Sequence, residues 1–296
     1  MAGPHLSTCV GRTWQDGCVD RNGKPLNGGP PKVIAHRGSS HVEPEHTLGA
    51  YERAIAEGAD GIECDVRLTA DRHLVCVHDR RVNRTSNGKG VVSDLELAHL
   101  EDLDWGSWKR RPDTGDPEEP DRNQANLLTL RQLILTALAA NRPLDLVIET
   151  KHPTRYAGEV ERQLVQVLHE FDLLIPGNSL VTVRAMSFST LAMQRLAKYA
   201  PHLQRVLLIE PGAPLPFRDG LPRGVAIAGP GMPIVRRHRG FVQKHHAAGH
   251  QVHVWTVDKP RDIEICLDLG VDAIITNKPS VVREAVDAVY PGGVRR

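Results

Sequence analysis

The chain has 296 residues, with 37 Lys and Arg against 36 Asp and Glu, 15 His, 40% apolar and 4% aromatic residues. That composition excludes wholesale disorder and collagen-like structure, and a formal net charge of +1 excludes a surface that holds nucleic acid or anionic membrane by bulk charge. No run approaches 18 uncharged apolar residues, so no integral membrane segment is expected.

Residues 1–31 are rich in Gly, Pro, Asn and Asp and have no helical or strand period. They lack the basic and apolar regions of a signal peptide and read as a flexible N-terminal tail. A single domain is expected over 32–291. Its strands are predicted at Val33–Ala35, Gly61–Leu68, Leu74–Val77, Leu144–Glu149, Leu180–Met186, Arg205–Ile209, Gly224–Ala228, Gln251–Val257 and Ala273–Thr276. Amphipathic helical stripes lie between them, for example Val160, Leu164, Val167, Leu168 and Phe171. Ser93 with Glu96 and Thr129 with Gln132 have capping-box spacing. Asp258 before Pro260 marks a helix start, and the Arg236–Arg239 run reads as a solvated one.

Such alternation predicts an α/β fold with a parallel sheet, and eight or nine strands favour a closed (β/α)8 TIM barrel. A doubly wound sheet is the alternative, but no GxGxxG loop follows the first strand. Leu68 and Leu74 are too close for a helical crossover, so their strands must form an irregular hairpin after the second strand. An insertion of about 80–128 precedes the fourth strand. Within it the charged, Pro-rich run Lys109–Asn126 reads as a solvated loop, with a lid as the alternative. Cys9, Cys18, Cys64, Cys76 and Cys266 are odd in number and scattered, which suits neither a disulfide framework nor zinc and makes a cytoplasmic location the expectation.

Four successive strands end in ionisable residues: His36-Arg37, Glu63-Cys64-Asp65, His78-Asp79 and Glu149-Thr150-Lys151. Charge beside an apolar core is costly unless paired or coordinated, so four such ends suggest a site. Glu63 and Asp65 are two apart and share a face of their strand. A two-residue loop at Ala70-Asp71 sets His78 opposite Glu63, and one at Asp71-Arg72 sets it opposite Asp65. With Glu149 this gives three oxygen ligands and no cysteine, which suits Mg²⁺ or Ca²⁺; a structural ion-pair network with Arg37 and Lys151 is the alternative. Arg37 can bind phosphate through paired donors, and Gly38 lets the backbone approach a ligand. Two histidines flanking an acidic metal cluster, with cations nearby, are what phosphodiester cleavage requires.

On these residues the sequence resembles the glycerophosphodiester phosphodiesterases. His36-Arg37-Gly38, Pro44-Glu45-His46-Thr47, Glu63-x-Asp65, His78-Asp79 and Glu149-x-Lys151 match that family's motifs in order. Ser187-Phe188, Trp255-Thr256-Val257 and Ile275-Thr276-Asn277-Lys278-Pro279 resemble further segments, and the likeness covers Val33 to Ala288. The resemblance implies a TIM barrel that hydrolyses glycerophosphodiesters to sn-glycerol 3-phosphate and an alcohol. His36 and His78 would be general acid and base, and Glu63, Asp65 and Glu149 would hold Mg²⁺ or Ca²⁺. Arg37 and Lys151 would bind phosphate, with Glu45 and Trp255 also in the substrate pocket. His46 departs from the family's usual Asn, and Arg72 from its usual hairpin glycine.

Two other readings remain at this level: a lysophospholipase D or phospholipase C-like enzyme in peripheral contact with lipid, and a catalytically silent phosphodiester- or metal-binding module. The expected partner is a small-molecule glycerophosphodiester, with no nucleic acid.

Overall fold

Short Val-, Ile- and Leu-rich runs form nine strands and the amphipathic segments between them nine α-helices in the computed structural model, which describes residues 29–109, 125–212 and 220–292. The strands are β1 (Lys32–His36), β2 (Gly61–Leu68), β3 (Leu74–Cys76), β4 (Leu144–Thr150), β5 (Val181–Ser187), β6 (Gln204–Ile209), β7 (Ile227–Pro230), β8 (Gln251–Val254) and β9 (Ala273–Thr276). The helices are α1 (Leu48–Ala56), α2 (Leu97–Glu101), α3 (Leu130–Ala139), α4 (Glu159–Glu170), α5 (Thr190–Tyr199), α6 (Met232–Arg237), α7 (Gly240–Ala247), α8 (Pro260–Leu269) and α9 (Pro279–Val289).

The sheet runs β1-β9-β8-β7-β6-β5-β4-β2 and closes through a β1–β2 pairing, giving an eight-stranded parallel barrel. β3 lies outside it, antiparallel to β2. Alternation along each strand separates two cores. Ile34, Val147, Met186, Val206, Ile227 and Ile275 fill the barrel interior, whereas Val33, Ile62, Cys64 and Ile148 face the helices. Asp145, Arg184 and His253 continue the interior rows toward the strands' N-terminal ends, where Asp145 takes ion pairs from Lys32 at 2.7 Å and Arg184 at 2.5 Å. At the opposite, C-terminal ends the same rows deliver His36, Glu63, Asp65 and Glu149.

The insertion after β3 has a core of its own outside the charged run. Val75, Val77, Val82, Val92, Leu100, Trp105 and Leu127 form a separate apolar cluster that organises two 3₁₀ turns and α2. Residues 110–124 of the charged run, and 1–28 of the expected tail, lie outside the described residues.

Several local expectations are corrected. The hairpin pairs Val66 with Cys76 and Leu68 with Leu74, so neither two-residue loop is used. The Thr69 amide donates to the His73 carbonyl at 3.0 Å, leaving Ala70, Asp71 and Arg72 as a three-residue loop with Arg72 at φ 70°. Thr129 and Gln132 do form a capping box, but Ser93 lies in a 3₁₀ turn and Glu96 takes the N-cap position of α2 without a side-chain cap bond. α8 does start at Pro260, as the signal at Asp258 and Pro260 predicts, but with Lys259 at its N-cap, and the Asp258 carboxylate accepts from Thr276 Oγ1 and the Asn277 amide. Arg236 and Arg237 end α6 rather than start a helix, and Arg236 pairs with Asp262. β7 begins at Ile227 because Pro222–Val225 forms a turn in which Gly224 (φ 83°) presents its carbonyl to Arg205.

Candidate active site

Backbone register brings the acidic residues together. Asp65 pairs with Glu149 across β2 and β4, and His36 pairs with Glu63 across β1 and β2. Glu63, Asp65 and Glu149 each offer a carboxylate oxygen within 4.8 Å of the others, and all three are buried. At that spacing, each pair of charges repels by about 3 kcal/mol for an effective dielectric of about 20. Lys151 Nζ lies 2.8 Å from Glu149 and 3.3 Å from Asp65, and Arg37 Nε lies 3.0 Å from Asp65. Three carboxylates against two cations leave one negative charge in excess. Glu63 Oε1 and Asp65 Oδ1 also have no hydrogen-bond donor; Lys151 is near Asp65 but misaligned. Donor chemistry, excess charge and orphaned oxygens all fit a divalent cation with oxygen ligands.

The electrostatics follow from this crowding. Burial, reinforced by Asp65, pushes the Glu63 carboxyl well above the usual carboxylate range and the Glu149 carboxyl up to about 8. Asp65 goes the other way: burial would raise it, but the His46 hydrogen bond and the charges of Lys151 and Arg37 hold it well below.

His36 Nε2 faces Glu63 at 4.0 Å, while its Nδ1 lies 2.7 Å from Asn277 Oδ1. Asn277 Nδ2 donates to Asp258 Oδ2 at 2.7 Å, and Ser40 Oγ donates to Asn277 Oδ1 at 2.8 Å. The amide oxygen is thereby fixed as an acceptor, so His36 Nδ1 carries the proton and Nε2 keeps its lone pair toward the acidic cluster. Burial, then the Arg37 charge, lower the His36 imidazole to about 4.

His78 Nδ1 lies 2.7 Å from Asp79 Oδ1, and the His78 carbonyl accepts from Arg67. β3 stops at Cys76, so His78 reaches the site by a turn of the chain rather than by the strand-face argument of either expected register. Burial lowers its imidazole, with Asp65 opposing.

Several expected features acquire different reasons. Arg37 has φ 58°, and its backbone amide donates to the Glu63 carboxylate at 3.1 Å while Nη1 reaches Glu45 at 3.0 Å. Gly38 has a packing role, because a Cβ there would sit 2.6 Å from the Ala50 backbone in α1. His46, at φ 63°, bridges Tyr51 Oη (2.8 Å) and Asp65 Oδ2 (2.9 Å). Trp255 Nε1 donates to the Gly229 carbonyl, and its ring meets Phe188 edge-on at 5.4 Å. His152 turns away to Glu161, 2.6 Å distant. Sequence reasoning gave no site role to Arg84, Tyr51, Asp258 or Asn277. For Asn277 and Asp258 the available signal was their position just after consecutive barrel strands.

Comparison with known proteins gives a consistent picture. The sequence model of the glycerophosphoryl diester phosphodiesterase family matches residues 36–281. The chain is 42% identical over 271 residues to "Probable glycerophosphodiester phosphodiesterase 1" of Mycobacterium tuberculosis, covering 90% of this chain and 97% of the relative. It is 32% identical over 261 residues to "Glycerophosphodiester phosphodiesterase" of Caldanaerobacter subterraneus, covering 88% and 98%. Among solved structures, an Oleispira antarctica phosphodiesterase in complex with the product sn-glycerol-3-phosphate superposes with TM-score 0.74 at 26% identity, covering 87% of this chain and 97% of that one.

Proposed function

Because the chain belongs to the glycerophosphoryl diester phosphodiesterase family, we propose that it hydrolyses glycerophosphodiesters to sn-glycerol 3-phosphate and an alcohol, using His36 and His78 as the proton-transfer pair. The observation that carries this reading is the convergence of both imidazoles with Glu63, Asp65, Glu149, Arg37 and Lys151 at one end of the barrel. A further support is the relative solved with sn-glycerol-3-phosphate, the product this chemistry would leave.

Glu63, Asp65 and Glu149 would hold a divalent cation, Mg²⁺ or Ca²⁺, which when bound would polarise the phosphoryl oxygens. Arg37 and Lys151 offset the charge that develops on phosphorus oxygens during attack. His36, with its Nδ1 proton given to a neutral amide, is suited to accept a proton at Nε2 from the attacking hydroxyl or water. His78 is backed by the Asp79 carboxylate, which stabilises an imidazolium, and is suited to deliver a proton to the departing alkoxide. Glu45 acts on substrate through Arg37, which it aligns, and the Trp255–Phe188 pair forms an apolar wall.

No helix among the described residues is long and apolar enough to cross a membrane. A lipid-directed reading would need a broad apolar rim, whereas exposed Phe188 faces a cation, Lys151 Nζ lying 6.0 Å from its ring centroid. We assign the enzyme to the cytoplasm on its scattered cysteines. The test of function is release of glycerol 3-phosphate from glycerophosphocholine with Mg²⁺ or Ca²⁺. His36→Ala and His78→Ala should each abolish it, and persistent turnover in either variant would remove that histidine from the mechanism.

A further inference from the structure

Beside the acidic cluster lies an open cleft lined by Arg67, Arg80, Lys151 and Arg155 with the hydroxyls of Ser93 and Thr154. No acidic residue lines it. Two of the four cations have carboxylate partners: Arg155 meets Asp94 at 2.6 Å at the outer lip, and Lys151 meets Glu149 at 2.8 Å. Arg67 and Arg80 have no ion pair among the described residues; Arg67 spends Nε and Nη2 on the His78 carbonyl, at 2.9 and 2.7 Å. An anion entering the cleft would give Arg67 and Arg80 the charged partner that neither has in an ion pair.

The cleft is an outward continuation of the site. Along β2, Glu63, Asp65 and Arg67 alternate onto one face, so Arg67 stands one step beyond Asp65 toward solvent. Along the next strand Glu149 is followed on the same face by Lys151, which belongs to both the acidic cluster and the cleft. A substrate whose phosphodiester sits at the cluster would therefore extend one of its two substituents over Arg67 and Arg80.

We propose that this cleft is a leaving-group subsite that selects glycerophosphodiesters whose alcohol carries a second anionic group, a phosphoryl or a carboxylate, over those whose alcohol is neutral or cationic. The proposal rests on the glycerophosphodiesterase reading and names a substrate class for it. Arg80, exposed at the wall, supplies the charge that recognises the distal anion, and Arg67 supplies it at the base. Glycerophosphocholine, with its quaternary ammonium, would be a disfavoured substrate in this scheme.

The test compares kcat/KM on glycerophosphoglycerol, on the same diester bearing a terminal phosphate monoester, and on glycerophosphocholine. The wild-type enzyme should favour the phosphorylated diester over glycerophosphoglycerol by about tenfold or more, the worth of one good guanidinium–phosphate contact. Arg80→Ala should shrink that ratio toward one and Arg80→Glu should invert it, with Arg80→Lys restoring part. A general loss of folding or catalysis would lower both rates and leave the ratio in place. In the unmodified enzyme the preference should weaken from low to high salt, which tests the idea without any variant. A wild-type ratio near one, or a ratio indifferent to Arg80→Ala and Arg80→Glu, overturns the subsite while glycerophosphoglycerol turnover still stands. Absence of turnover on every glycerophosphodiester overturns the activity itself, and the subsite falls with it.

Discussion

Arg84 grips Glu45 with both terminal nitrogens, Nη1 lying 2.8 Å from Oε2 and Nη2 2.7 Å from Oε1. Its Nε simultaneously reaches Asp79 Oδ2 at 2.7 Å. One planar guanidinium thus joins the carboxylate that aligns Arg37 to the carboxylate that backs His78. Both acids are held at about 2 despite burial, chiefly through Arg84.

Lysine cannot reproduce that fork, because an ammonium has no fixed plane for two carboxylates. Arg84→Lys is expected to lower kcat by roughly 10–100-fold, as losses of supporting hydrogen-bond partners do, with little change in KM. Steady-state kinetics on a soluble glycerophosphodiester would check this. In a His78→Ala background, using whatever residual rate exists, Arg84→Lys should cost much less, and full additivity would contradict the link through Asp79.

Stability without a cation should depend on pH in a specific direction. Glu149 is raised from its ordinary 4.5 to about 8 in the folded protein, and Glu63 is raised as well. Above the ordinary imidazole value of 6.5, where the depressed His36 no longer opposes them, these carboxyls hold protons that the unfolded chain has released, so stability falls as pH rises toward 8. The chelator-treated protein should therefore melt at progressively lower temperature from about pH 7 to about pH 8. Adding Mg²⁺ or Ca²⁺ should raise Tm, more at the alkaline end where it displaces fewer protons. A metal-free Tm that rises across this interval would contradict the burial of uncompensated carboxylates.

His46→Ala strips one buried partner from Tyr51 Oη and one from Asp65 Oδ2. The expected cost is about 1–3 kcal/mol of unfolding free energy and about 10–100-fold in cation affinity, since Asp65 loses a group that orients it. Urea unfolding and calorimetric titration with Ca²⁺ read the two effects separately. Unchanged affinity would show that Arg37 and Lys151 suffice to position Asp65.

Arg72 adopts the left-handed backbone of the hairpin loop at φ 70°, and its guanidinium lies 3.6 Å from the centroid of the Tyr156 ring. That conformation costs an L-residue about 1–2 kcal/mol, and an exposed cation–π contact returns about 0.5–1 kcal/mol. Arg72→Ala keeps the first and loses the second, so it should destabilise by about 1 kcal/mol in urea unfolding. Arg72→Gly removes both and should match the wild type or exceed its stability slightly.

The barrel was legible because strand-helix alternation is a local pattern, and the carboxylate cluster because Glu63, Asp65 and Glu149 sit at strand ends where register is forced. The failures share a physical cause: each turned on a loop. The hairpin register depended on whether Arg72 would accept a positive φ, which propensity argues against and the Tyr156 stack offsets. Asp258 with Pro260 correctly marked a helix start, but nothing local shows that two donors after β9 take its carboxylate. Arg84 was invisible since nothing in the spacing from His78 tells that a 3₁₀ turn folds it back between Glu45 and Asp79. Arg67 continues the alternation of Glu63 and Asp65, and nothing local shows that the cleft above it lacks an acid.

The hydrogen bond from His36 to Asn277 spans 241 positions of chain. Ribosomal synthesis delivers His36 with the first barrel strand and Asn277 just after the last, so every other part of the site is made before the imidazole has its anchor. A chain ended by premature termination ahead of β9 contains all three acidic residues but nothing to set the His36 tautomer. Errors late in the message therefore silence the chemistry along with ring closure, and turnover becomes a report on translation carried through to the ninth strand.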